Sequence, residues 1–162
     1  MPDPAADQVV DVERILAESA HPAWLPSGSR VEIVQRREPP QPMSLVRLLL
    51  RLGDDVFCVP RADSGKLDLP TRATAEGPAD GSAAIAALSE AVTGSRVRPV
   101  FVGAVRNIVP DPPATYPWPA PCAHFGVWST DEPPVVDGTW VDVGRGDSLL
   151  RDRHWFPLVR AV

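Results

Sequence analysis

The sequence predicts an α/β fold, a central mixed β-sheet sandwiched between helices, and three observations carry that reading. The run Leu45-Val46-Arg47-Leu48-Leu49-Leu50 is apolar enough for a buried strand, and the Gly53-Asp54-Asp55 turn leads into a second strand over Val56 to Arg61, making a hairpin. From Ala83 to Val92 the period changes, with Ile85, Leu88 and Val92 at helical spacing and Gly94 as a C-terminal stop. Apolar, β-rich segments then resume at Val97–Val105, Ala123–Trp128 and Thr139–Val143. Strand, hairpin, loop–helix and further strands together read as one mixed sheet with helical cover.

The remaining elements follow in chain order. Val9, Val12, Ile15 and Leu16 have helical spacing, so a helix is expected from about Asp7 to Ser19, stopped by His21-Pro22. Arg30 to Arg37 alternates apolar and charged positions, which predicts a strand. Asp63-Ser64-Gly65-Lys66 is a turn leading into Leu67-Asp68-Leu69-Pro70, and Thr71 to Gly81 is expected to be a loop. Ser82 and Asp80 compete to cap the central helix. Pro110 to Pro121 is an irregular loop carrying Tyr116 and Trp118, and the tail from Ser148 to Val159 is expected to form a short helix held by Trp155 and Phe156.

At 162 residues the chain is long enough for one domain with a substantial core. It divides at Pro42 into an N-terminal helix/strand extension, 1–42, packed on a main domain, 43–162. Twenty prolines punctuate it, clustered at 39–42, 110–121 and 133–134, and mark loops rather than flexible linkers. A net charge of -5 argues against a nucleic-acid binder. No apolar run reaches the roughly 20 residues a membrane helix needs, and the N-terminus lacks a signal-peptide layout, so a cytoplasmic protein is expected. Cys58 and Cys122 sit among apolar neighbours and read as buried free thiols.

Several segments resemble the signature region of the Nudix hydrolases. Gly65-Lys66-Leu67-Asp68-Leu69-Pro70 is similar to the family's Gly-Lys-Trp-x-Leu-Pro entry, and Gly77 matches the glycine before the first motif glutamate. The segment from Ala83 to Gly94 resembles the helix Ala-Ala-x-Arg-Glu-Leu-x-Glu-Glu-Thr-Gly with one extra residue near Val92, and Trp140-Val141-Asp142 resembles a late Trp-Val-x-Leu strand. The resemblance covers about Met43 to Leu158 and implies a Nudix-like α/β/α sandwich, often homodimeric, that hydrolyses nucleoside diphosphate derivatives with Mg²⁺ held by helix glutamates. Carried over position by position, the first motif glycine falls on Arg72, the first glutamate on Pro78 and the Arg-Glu pair on Ala86-Ala87. Of the Glu-Glu pair only Glu90 remains, beside Ala91.

At ~100° per residue, Ile85, Leu88 and Val92 form the stripe that faces the sheet, while Ala87, Glu90 and Ala91 share the opposite arc. The arc that would present carboxylates to Mg²⁺ thus offers one, against the several oxygen ligands this ion prefers. Three functional expectations follow. The first is a divergent protein without Mg²⁺-dependent hydrolysis, binding a small, anionic or nucleotide-like molecule or a partner through Arg47, Arg72 or Arg106. The second is an active diphosphate hydrolase in which Glu90, as base or weak metal ligand, is joined by carboxylates from Glu76, Asp80, Asp131 or Glu132. The third is different chemistry using His124, the residue type suited to acid–base work near neutral pH. Tyr116, Trp118 and Trp128 surround the proline-rich loop and are candidates to stack on a planar ligand. Each has a plainer alternative: a solvated helix residue for Glu90, a surface arginine for Arg72, a structural histidine for His124, and loop anchors for the aromatics.

Overall fold

The computed structural model describes residues 12–74, 79–160 and 162. Nine strands, β1 Arg14–Ala20, β2 Arg30–Gln35, β3 Met43–Leu52, β4 Asp55–Pro60, β5 Leu67–Asp68, β6 Thr71–Ala73, β7 Val100–Ile108, β8 Cys122–Thr130 and β9 Thr139–Asp142, build the sheet. Two helices, α1 Ser82–Thr93 and α2 Phe156–Val159, complete the described residues. The expected mixed α/β class is therefore present, with strands dominant. The sheet order is β1-β2-β7-β8-β3-β4-β5, with β6 on β3 and β9 on β4. Among the described residues only β3 and β8 run parallel; every other pair is antiparallel.

Strand β3 organises this arrangement. Its residues alternate between two cores: Leu45 and Leu49 point to one, Val46, Leu48 and Leu50 to the other. A strand buried on both sides carries the near-continuous apolar run seen in the sequence. On one edge β3 pairs along its length with β8. On the other it meets β6 over Leu45–Arg47 and β4 at Arg51–Leu52. Strand β6 thus lies where a loop was expected.

Helix α1 packs Ile85, Leu88 and Val92 onto Val46, Leu48, Leu50, Phe57 and Trp128, the stripe expected from the sequence. Neither Ser82 nor Asp80 is the N-cap, which is Gly81; Asp80, one residue before it, accepts from the Ser82 backbone N–H at 2.9 Å, and its hydrogen bonding with Ser82 lowers its pKa. Gly81 and Gly94 bracket the helix in left-handed conformations. A side chain at Gly81 would also meet Met43 Cγ at 2.9 Å, so glycine is required there twice over.

The opposite face carries Val31, Ile33, Val105, Phe125, Trp155, Phe156 and Leu158. Its helical cover is one turn, α2, since the tail before Trp155 folds as successive turns instead of the expected longer helix. That turn sits close because Gly103 has no side chain: a Cβ there would lie 2.5 Å from Leu158 Cδ2.

The N-terminal expectation needs correction. From Arg14 to Ala20 the chain is a strand paired with β2, and residues 7–11 lie outside those described. The register shifts between Ile15 and Ala17, so Leu16 and Ala17 both pack on the core. A bulge turns neighbouring residues toward one side, and it disrupts the strand period that would have identified this segment. Of the expected helical stripe, Val12 and Ile15 are exposed, Leu16 packs on the core as a strand residue, and Val9 lies outside the described residues. Through β2 and β7 these strands continue the main sheet. Among the described residues no helix is long and apolar enough to cross a membrane.

The two cysteines are free, Cys58 buried and Cys122 half-buried. Burial pushes the Cys58 thiol up to about 12, which removes it as a nucleophile at neutral pH. Titration with a thiol reagent should modify Cys122 quickly in the native protein and Cys58 only after denaturant is added; rapid reaction of both without denaturant would contradict the packing. Asp68, buried between β5 and the tail, accepts from Arg61, the Leu69 N–H and the Trp155 indole. Asp68→Asn should cost about 2–4 kcal/mol in urea unfolding, because it sets an amide against Arg61 inside a buried network. A loss below about 0.5 kcal/mol, the range of ordinary surface substitutions, would show the network to be dispensable.

Candidate functional site

The α1 side of the sheet holds two adjoining clefts, both bordered by Pro39. The first, about 500 Å³, runs between α1 and the segment that follows it. Ala83, Ala86 and Glu90 line it from the helix, Arg96 and Arg98 from the chain entering β7, and Trp128 from the sheet. Geometry explains this composition. The buried stripe of α1 faces the sheet, so the arc holding Ala86 and Glu90 turns outward. Gly94 then reverses the chain and brings Ser95-Arg96-Val97-Arg98 back beside that arc. Arg96 Nε lies 3.4 Å from Glu90 Oε1, but both side chains are largely exposed, so the pair is weak. Trp128 is only 4% exposed and packs edge-on against Phe101 at 4.9 Å.

The second cleft, about 670 Å³, is built on a row of residues across three strands. Register places Glu32 opposite Arg106 and Arg106 opposite His124. Arg106 Nε–H donates to His124 Nε2 at 2.9 Å, and its two terminal nitrogens grip Glu13 at 2.7 Å each. Glu32 lies 3.5 Å from the same guanidinium. Hydrogen bonding with Arg106 holds Glu13 below the usual carboxylate range, and the same bonds raise Arg106.

His124 is 3% exposed, with Nδ1 2.9 Å from the Pro42 carbonyl oxygen. Since Nε2 accepts from Arg106, Nδ1 must carry the hydrogen and donate to Pro42. Both ring nitrogens are therefore engaged in the neutral form. Burial, the largest cause, and the Arg106 charge depress its pKa. A histidine locked in this way has no free nitrogen for proton transfer to a substrate. The arrangement ties β7 and β8 to the turn before β3.

The sequence-predicted residues are thus distributed over the molecule. Glu90 and Trp128 meet in the α1 cleft; His124 and Arg106 meet in its neighbour. Arg72 is exposed on β6, opposite Val46 in register. Arg47 lies on the other side of β3, where burial lowers its pKa and its Nε has no hydrogen-bond partner. Trp118 is on that side too, edge-on to Phe125 at 5.2 Å. Tyr116 is half-buried in the loop, with its phenol raised by burial. A single anion cradle of Arg47, Arg72 and Arg106 does not form, because Arg47 and Arg106 sit on opposite faces and Arg106 is already neutralised. Arg96 and Arg98 were missed as site residues. Their signal was present in the basic segment after Gly94, but Val97 was read as the start of a strand.

Among the described residues no group of three His, Cys, Asp or Glu side chains is placed to hold a metal ion. Asp80 is engaged by the Ser82 backbone N–H, and Glu76 and Pro78 lie outside the described residues. No protein-family model matches this chain, and no curated protein or solved structure matches it either.

The locked histidine has a consequence for stability. Its depressed pKa means the unfolded chain takes up a proton first as pH falls below about 6.5, so stability contributed by neutral His124 is present above that pH and lost on acidification. His154, also depressed by burial, acts in the same direction. Urea midpoints measured from pH 8 to pH 5 should therefore fall below about pH 6.5, and His124→Gln should flatten that fall. A midpoint independent of pH across this window would contradict the assignment.

Proposed function

We propose that this chain is a divergent Nudix-fold protein that does not carry out Mg²⁺-dependent pyrophosphate hydrolysis and binds a small anionic, nucleotide-like ligand in the α1 cleft. The observation that carries the reading is the composition of that cleft. The helix lines it with Ala83, Ala86 and Glu90, of which only Glu90 stands where the resembled family has a metal-holding residue, and Arg96 and Arg98 line it from the following segment. Glu90 is paired with Arg96, which leaves Arg98 as excess positive charge among the lining residues. A guanidinium binds an oxyanion directly, with charge-assisted hydrogen bonds, and needs no bridging cation. The indole edge of Trp128 and the alanine methyl groups supply an apolar wall for the rest of the ligand.

The mixed α/β character is compatible with this reading. The alternative, an active hydrolase with replacement carboxylates, predicts opposite behaviour at Glu90, so one residue separates the two.

Calorimetric titration with ADP should give the same affinity with Mg²⁺ and with a chelator. Arg96→Ala/Arg98→Ala should weaken binding by about tenfold or more, since each charge-assisted bond contributes on the order of 1.5–3 kcal/mol. Glu90→Gln should tighten binding severalfold by removing a like charge from the anion's path. Strictly metal-dependent binding, or turnover of ADP derivatives abolished by Glu90→Gln, would sink the proposal.

A further inference from the structure

On the face opposite α1, a cleft of about 430 Å³ opens between β1, β2 and the C-terminal turns. Arg151, Arg153 and Arg160 line it, together with Trp24 and His154. Among the described residues none of these three guanidinium groups pairs with a carboxylate. Arg151 donates to the Gly146 carbonyl, Arg153 to the Leu67 carbonyl at 2.7 Å, and Arg160 lies over the Phe156 ring. Arg153 Nε is buried and has no acceptor. The one acidic residue on the rim, Glu18, faces Arg30 at 3.9 Å.

The charge behind this cleft has the same sign. His154 is depressed first by burial and then by Arg47, Arg61 and Arg153, with Asp68 alone opposing them. Asp68 is in turn saturated by Arg61, Leu69 and Trp155. Arg61 is paired with Asp68, but Arg47 and Arg153 have no ion-pair partner among the described residues, so their charges repel one another and an entering anion relieves that repulsion.

The aromatic component is as specific. Trp24 stacks on His154 with ring centroids 4.1 Å apart and planes 23° from parallel. Its indole is nevertheless 52% exposed, so part of its surface is uncovered beside the arginines. An exposed, stacked tryptophan is rigid and presents a flat apolar surface, while neighbouring guanidiniums reach for oxyanions.

We infer that this cleft is a second binding site, for a planar aromatic ring that carries a phosphate or carboxylate group. The ring lies on Trp24 and the oxyanion is held by Arg153 with Arg151 and Arg160. The volume falls within the range that ordinary small-molecule sites occupy, roughly 300–1,000 Å³. The site is separated from the α1 cleft by the sheet and stands whether or not that cleft is occupied.

The test uses full-length protein with Arg96 and Arg98 replaced by alanine, so that only the second site is read. Calorimetry is run with adenosine monophosphate, with benzene-1,2,4-tricarboxylate, with adenosine and with inorganic phosphate. One of the two ring-bearing anions should saturate the protein, and which one does so separates phosphate from carboxylate recognition. Adenosine and phosphate alone should bind at least about tenfold more weakly, since each lacks one half of the contacts. Arg151→Ala/Arg160→Ala and Trp24→Leu should each reduce affinity about tenfold. Because loss of Trp24 could disturb the His154 stack, the Trp24 indole N–H resonance of the otherwise unchanged protein is followed as well, and it should shift on titration. The inference is overturned if neither ring-bearing anion saturates at millimolar concentration, if inorganic phosphate binds as tightly as they do, or if the Trp24 resonance does not move.

Discussion

Much of the architecture depends on the carboxylate of Asp68. Its side chain is buried at the end of the short strand β5 and makes four hydrogen bonds. One oxygen takes the Leu69 N–H and the Trp155 indole, the other takes Arg61 twice. Three pieces of chain are thereby fastened together: β4 and β5, which already pair at Val59–Asp68 and Pro60–Leu67, and the C-terminal tail, which the Trp155 indole ties to them. Burying a carboxylate is costly unless its lone pairs are filled, and here Arg61 and the Leu69 N–H fill them locally while Trp155 does so from 87 residues away. That requirement makes the network specific. The tail has one helical turn of its own, so Trp155 reaches its buried position by chain geometry plus a single directed bond, and the packing of Phe156, Leu158 and Val159 follows from it.

The same constraint explains how the two faces of the sheet come to differ. The strap from Leu67 to Ala73 runs along the edge of β3, with the Leu48 N–H donating to the Pro70 carbonyl at 3.0 Å. It delivers the chain to the α1 side, where a twelve-residue helix covers Val46, Leu48 and Leu50. The other side receives turns and one short helix. The helix shields the part of the sheet under it and leaves one cleft along its flank and a second beyond it, over β2, β7 and β8. Turns shield less evenly, and the cleft beside Trp24 lies where they meet β1 and β2. The distribution of clefts is a consequence of how each face is covered.

What was legible in the sequence divides along the same line. The α1 stripe and the buried strand β3 were readable because each is a local period against a continuous core, and period 3.6 and an unbroken apolar run are strong signals. Strand β1 was read as a helix because a bulge breaks its alternation and only four apolar residues supported either period. Strand β6 was invisible because Thr71-Arg72-Ala73 is exposed and its pairing with β3 is non-local. The site residues show the same contrast. The outward direction of Glu90 follows from helix phase, but Trp128, expected beside Tyr116 and Trp118 at the proline-rich loop, lines the α1 cleft instead, while Trp118 packs on Phe125 on the other face. The partner of His124 could not be found, since Arg106 is eighteen residues away and meets it only through the β7–β8 register. Glu13, which neutralises Arg106, comes from farther still.

Charge offers the last step. A net charge of -5 suggests a molecule unattractive to anions, and averaged over the surface that is so. Local pairing redistributes it. Arg106 is neutralised by Glu13 and Glu32, and Arg61 by Asp68, so these arginines serve the fold. Arg98, Arg151, Arg153 and Arg160 have no carboxylate beside them among the described residues, and each lines a cleft. Exposed acidic side chains elsewhere are screened within about 10 Å at ordinary ionic strength, so they do little to cancel the field inside either cleft. An acidic protein therefore carries basic clefts wherever its arginines escape pairing, and the sign of a site is decided by its nearest unpaired groups rather than by the total.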